Sequence, residues 1–191
     1  MRNLFVTEFV SLDGVMEDPG GAEGFEHGGW SFEHSTDESM KYKLDELFAS
    51  DAILLGRVTY QGFAKAWPTV EDEVGFAERM NGLPKYVVST TLDEAPEWSN
   101  STVIKGNLAE AVAKLKAEDG LDIMVAGSQQ LVRSLLELDL VDEIHLLVSP
   151  VVLGTGKRVF EGVAGKKVLE LVEAKPFSSG SILLTYRRPR G

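Results

Sequence analysis

Three short stretches of this sequence combine small residues with hydroxyl groups in a way that suits phosphate: Gly56-Arg57-Val58-Thr59, Ser89-Thr90-Thr91 and Gly127-Ser128-Gln129-Gln130. Each follows an apolar run and stands at a helix start or turn, where free backbone N–H groups and the positive end of a helix can hold an anion. Arg57 adds a full charge and a planar fork for bidentate phosphate contact. Glycine and serine also end strands and cap helices for purely local reasons, so one such point alone would mean little. Three together fit an extended ligand with several phosphates, the shape of a dinucleotide.

Other chemistries find less support. No G-x-G-x-x-G follows the first strand, so an ordinary Rossmann fingerprint is missing. Gly154-Thr155-Gly156-Lys157 has the look of a P-loop, but Val151 stands where the leading glycine belongs and Arg158 replaces the Ser/Thr. His27, His34 and His145 are read as surface histidines; only the first two are near each other, and no metal site is expected. Serine hydrolysis has no G-x-S-x-G elbow to start from. The pairs Asp37/Glu38 and Asp72/Glu73 fit helix N-termini better than glycosidase acids.

The elements that would position these residues follow from periodicity. Phe5-Val6-Thr7-Glu8-Phe9-Val10 reads as a first strand ended by Asp13-Gly14. Residues 17–35 are too rich in glycine for a helix and long enough to cover a site. Ser35-x-x-Glu38 has the form of a capping box, and Met40, Leu44, Leu47 and Phe48 recur on one helix face. Ala52-Ile53-Leu54-Leu55 suits a strand covered on both faces, and a helix follows from about Thr59 with Tyr60, Phe63, Ala64 and Trp67 inward. A short helix within 72–80 ends at Asn81-Gly82, before a strand at Lys85-Tyr86-Val87-Val88-Ser89.

Asn107-x-x-Glu110 then caps a helix carrying Leu108, Ala111, Val112 and Leu115, and Gly120 closes it. Residues 122–126 form a strand, a helix runs over Leu131, Leu135 and Leu138, and 143–148 form another strand. Such alternation implies crossovers and a largely parallel sheet. Residues 168–173 and 182–188, around Ser178-Ser179-Gly180-Ser181, read as an antiparallel hairpin at a sheet edge. The fold class is therefore α/β: a mixed, mostly parallel central sheet flanked by helices, in a single domain over residues 1–191 with no internal repeat.

With 191 residues, 43% of them hydrophobic, the chain can build one sizeable core. No apolar run approaches the length of a bilayer crossing and no signal peptide is expected, which makes the cytoplasm the expected compartment. The absence of cysteine excludes disulfides, thiolate nucleophiles and cysteine–zinc sites. A net charge of −11 without clustered Lys/Arg argues against nucleic acid as a partner, although a local anion site survives on an acidic protein.

Several of these stretches also resemble a known family. Ser11-Leu12-Asp13-Gly14 is similar to an S-x-D-G signature, and Leu55-Gly56-Arg57-Val58-Thr59-Tyr60 to a cofactor-phosphate segment. Val125-Ala126-Gly127-Ser128, Leu140-Val141-Asp142-Glu143, Ser149-Pro150-Val151-Val152-Leu153-Gly154, Gly156-Lys157 and Phe160 follow in the family's order. The chain as a whole resembles the dihydrofolate-reductase-like fold, in the branch containing the reductase domain of the bifunctional riboflavin-biosynthesis deaminase/reductase.

The resemblance implies NADPH as cofactor, hydride transfer to a small heterocyclic or sugar-derived substrate, and a homodimer. It implies that Gly56, Arg57 and Thr59 hold phosphates, Ser89, Thr90 and Thr91 the adenosine end, and Gly127, Ser128, Gln129, Gln130 and Leu131 the pyrophosphate. Arg57 near a 2′-phosphate would favour NADPH over NADH. Departures are visible too. The register at which dihydrofolate reductases place an acid in the helix after the long loop falls near Met40, and Gln129-Gln130 replaces a glycine and a basic residue.

Asp13 is the candidate proton donor by position. The loop from Glu17 to Trp30 is a candidate lid, and Trp30 and Tyr60 are expected to wall the substrate pocket. Three alternatives stay open: an NADP(H)-binding module without catalysis, a pteridine- or dihydrofolate-type reductase, and an α/β hydrolase.

Overall fold

The computed structural model describes residues 1–189. It contains five α-helices, α1 (Asp37–Phe48), α2 (Arg57–Ala66), α3 (Phe76–Gly82), α4 (Leu108–Ala117) and α5 (Gln129–Glu137). The strands are β1 (Leu4–Ser11), β2 (Ser50–Gly56), β3 (Lys85–Val88), β4 (Ser101–Ile104), β5 (Asp122–Val125), β6 (Glu143–Ser149), β7 (Glu170–Pro176) and β8 (Ile182–Arg187). All join one sheet in the order β4-β3-β2-β5-β1-β6-β8-β7. The strands from β4 to β6 in that order are parallel, whereas β8 runs antiparallel to β6 and β7 to β8. This is the expected mostly parallel sheet with a hairpin at its edge.

Alternation along β1 builds both faces. Leu4 and Val6 enter one apolar layer with Val112 and Leu115 of α4 and Val132 and Leu135 of α5. Phe5 enters the other with Leu47 of α1, Tyr60 of α2 and Met80 of α3. Three-layer packing of this kind is what crossover helices on a parallel sheet produce.

Several local expectations are corrected. The cap of α1 lies one residue later than Ser35/Glu38: Thr36 accepts from the Ser39 amide, and the Ser39 hydroxyl accepts from the Thr36 amide. The stripe read as apolar is buried only in part, at Leu47 and partly at Leu44. Met40 and Phe48 remain 41% and 48% exposed, while Lys43 and Glu46 are buried with Leu47.

α2 starts two residues before Thr59. α3 starts only at Phe76, where the Asp72 carboxylate accepts the Phe76 and Ala77 amides. Leu138 is exposed at the end of α5. β4 has no counterpart in the periodicity, because a polar four-residue edge strand, Ser101-Thr102-Val103-Ile104, carries too little apolar pattern.

Candidate functional site

The sheet order leaves a gap. β1 pairs with β5 only from Leu4 to Val6, but with β6 all the way to Ser11. Past Val125 the chain turns away through Ala126 and Gly127, so the flank of Thr7, Glu8 and Phe9 is uncovered. A cavity of about 940 Å³ opens there, at the carboxyl ends of central strands, where open α/β sheets take ligands. Its walls are mostly apolar, including Phe9, Met16, Leu44, Phe63, Trp67 and Met124.

One end of the cavity is a backbone cradle. Gly127 sits at φ +83°, and a Cβ there would lie 3.0 Å from Thr59 Oγ1. A Cβ on Gly56 would fall on Ser128 Oγ, and the Gly56 amide donates to the Gly127 carbonyl at 3.2 Å. The Gly127–Ser128 peptide is cis. Ser128 is the N-cap of α5 without making a side-chain cap bond, so the helix amino end faces the cavity with its amides uncapped by any side chain. These features suit a pyrophosphate of a dinucleotide: small residues, a hydroxyl at Thr59, and an unfilled helix terminus.

The opposite wall carries charge. Lys43 Nζ donates to Thr7 Oγ1 and to Glu46 Oε2. Glu46 Oε1 lies 2.7 Å from His145 Nδ1 and 3.2 Å from the Tyr42 hydroxyl. Burial would raise the Glu46 carboxyl, but Lys43 and His145 outweigh it and hold it well below the usual carboxylate range. Next to this cluster, Glu8 is 8% exposed and its Oε1 has no hydrogen-bond partner.

Of the residues singled out in the sequence, Thr59, Gly127, Ser128, Gln129 and Gln130 line the cavity. Gly56 is buried just behind Ser128, and Leu131 is part of the core. Arg57 is exposed outside the walls, donating to Gln61 Oε1 at 3.1 Å. Ser89, Thr90 and Thr91 do not line the cavity; the Ser89 hydroxyl accepts the Thr91 and Leu92 amides and closes its own turn.

Four expectations are corrected. Asp13 does not line the cavity. The Ser11 hydroxyl at 2.7 Å and the Leu153 and Gly154 amides hold its carboxyl at about 2, so it is ionised, and it ties the first turn to the segment at 153–158 instead of facing the cavity. Trp30 is buried beneath its loop with Nε1 donating to the Glu17 carbonyl, while Ser31 and Phe32 face the cavity. Tyr60 is core, its hydroxyl held between Glu97 and the Trp98 amide.

His145 is no surface residue. It stacks on Phe5 at 4.7 Å and lies between Glu46 and Glu143. Among the described residues no cluster of His, Asp and Glu could hold a metal ion, and no helix is long and apolar enough to cross a membrane.

The loop does cover the site: Glu17, Pro19, Gly20 and Glu23 line it, and Asp18 holds the loop together through the Ala22 and Phe25 amides. Among the cavity residues not singled out beforehand are Glu8, Lys43 and Glu46. A usable signal existed for Glu8, the one charged residue of a mostly apolar central strand, since such residues are rarely buried without a reason.

Comparison with known proteins agrees with this geometry. YyaP of Bacillus subtilis (strain 168), an uncharacterized protein, is 32% identical over 188 residues, 97% of this chain and 94% of YyaP. The crystal structure of a Shewanella sp. PV-4 protein assigned to riboflavin biosynthesis superposes with a TM-score of 0.78 at 21% identity, covering 98% of this chain and 99% of that one. Dihydrofolate reductase from Enterococcus faecalis, complexed with NADP(H), superposes at a TM-score of 0.64 and 15% identity, over 98% and 97% of the two chains. The fold is that of dihydrofolate reductase, and with the RibD C-terminal domain model matching residues 2–183, the chain belongs to the RibD C-terminal domain family.

Proposed function

We propose that this protein is an NADPH-dependent reductase whose hydride acceptor is a small, uncharged, planar heterocycle or carbonyl compound. The observation that carries the reading is the cradle of Gly127, Thr59 and the bare amino end of α5, opening into the same cavity as a buried acid. A bound NADPH would supply the hydride, the two electrons of the reduction. The chain's own part is to hold the pyrophosphate at Gly127, Ser128 and Gln129, to bring Arg57 to the 2′-phosphate at the rim, and to keep water from the acceptor with its apolar walls.

The acceptor class follows from the charges. Every cavity-lining cation is already paired: Lys41 with Asp45, Lys43 with Glu46 and Lys157 with Glu17. A sugar phosphate would compete with the carboxylates that hold these cations, whereas a neutral ring buries apolar surface at once. Of the heterocyclic and sugar-derived substrates that the family resemblance suggests, this favours the heterocycle.

The test is thermal melting with cofactor. NADPH at a hundred times its Kd should stabilise the protein by about 2.7 kcal/mol, and NADH at equal concentration by much less. No shift at millimolar NADPH rejects the proposal.

A further inference from the structure

We infer that Glu8 is the proton donor of the reduction, its carboxyl delivering from Oε1 to the heteroatom of the acceptor's C=O or C=N bond. The assignment rests on the reductase reading and fills the role left vacant by Asp13. Glu8 lies on the uncovered flank of β1, where the strand has lost β5 as neighbour, and it lines the cavity between the α5 cradle and the α1 cluster. A Cβ on Gly127 would come within 3.8 Å of Glu8 Oε1, so the acid borders the turn assigned to the cofactor. Oε1 is buried and, apart from the Gly127 amide that faces the carboxyl, has nothing to pair with, an arrangement that costs stability unless a ligand group completes it.

The groups facing Glu8 explain its form. From α1 come Lys43, which favours the charged state, and Glu46, which opposes it. From α2 and the α5 turn come only the uncharged Thr59, Ser128 and Gln129, together with the Gly127 amide. Lys43 is already engaged with Glu46 and Thr7. Burial prevails over these and pushes the Glu8 carboxyl up to about 8, so it carries its proton at neutral pH.

In the reduction, the acceptor carbon takes the hydride and its π pair moves to the heteroatom. That atom takes the proton from Glu8 Oε1; the O–H bond breaks, leaving a carboxylate that regains its proton from solvent after the product leaves. An acid with a pKa near the working pH is well matched to this task.

Infrared spectroscopy on the full chain tests the assignment without turnover. At neutral pH a protonated-carboxyl C=O stretch is expected that disappears as pH rises through about 8, moves when NADP+ is added, and is lost in Glu8→Gln. With NADPH and menadione, a planar uncharged quinone, Glu8→Gln should bind NADP+ as the wild type does yet turn over at least about a hundredfold more slowly. The wild-type kcat should fall about tenfold per pH unit above the Glu8 pKa.

A missing band, a band that survives Glu8→Gln, or equal turnover by the two proteins overturns the assignment while leaving the NADPH thermal shift intact. So does a wild type that binds NADP+ and turns over no menadione. Loss of the thermal shift itself removes the reductase reading, and Glu8's role with it. If Glu8→Gln does not fold, Glu8→Asp keeps an acid on a shorter arm, and its band should be displaced rather than lost.

Discussion

Single side chains divide the work at this site by their surroundings more than by their type. Asp13, Glu8 and Glu46 are all carboxyl groups within reach of one strand, yet hydrogen bonds from Ser11 and two amides keep Asp13 ionised, Lys43 and His145 keep Glu46 ionised, and burial keeps Glu8 neutral. Arg57 belongs to another class: exposed, held only to Gln61 one turn away, and free to swing to a phosphate. Arg57→Ala should therefore weaken NADPH by roughly tenfold, about 1.4 kcal/mol, and leave NADH nearly unchanged. Titration calorimetry with both cofactors checks this, and equal losses would remove the 2′-phosphate contact.

At the scale of elements, the amino end of α5 is the decisive piece. The chain leaves β5, turns at Gly127 with φ +83°, and enters the helix close against Thr59 of α2. Gly127→Ala would force a β-carbon into a left-handed conformation and against the Thr59 hydroxyl, at about 1–2 kcal/mol of stability, with NADPH affinity falling roughly tenfold. Gly62→Ala, in α2 with open space around it, should instead raise stability by up to about 1 kcal/mol and leave cofactor binding alone. Urea unfolding and NADPH titration of the two variants separate the effects. α1 makes a complementary point: its inward face carries Lys43 and Glu46 beside Leu44 and Leu47, so the apolar stripe indicated the orientation of the helix but not the charged pair buried with it.

For the whole molecule, the buried carboxyls give stability two opposing pH dependences. Glu8 has a folded pKa raised from 4.5 to about 8, so its contribution is fully present below about 4.5 and is lost as pH rises through about 8. Glu46 is shifted downward, so its contribution is present above the ordinary carboxylate value and is lost as pH falls below it. Urea midpoints should therefore decline on both sides. The gain in stability from Glu8→Gln should grow between about pH 5 and 8 and then level off. A gain independent of pH would show that Glu8 is not the group titrating.

Much of this architecture was written locally. The alternation of apolar strands with capped helices implied a parallel sheet, and the closing hairpin was legible from Ser178-Ser179-Gly180-Ser181 between two strand-like runs. The close approach of Gly127 and Ser128 to Thr59 and Gly56 was legible for the same reason, since it depends on backbone geometry close to their own positions.

What the sequence could not settle depended on neighbours far along the chain. Asp13 is fixed by amides some 140 residues away. His145 and Glu46 meet across 99 positions, and Glu8 borders the cavity only because β5 stops short of it. The proton affinity of a carboxyl is set by the dielectric and charges around it, and those exist only once distant segments have packed together.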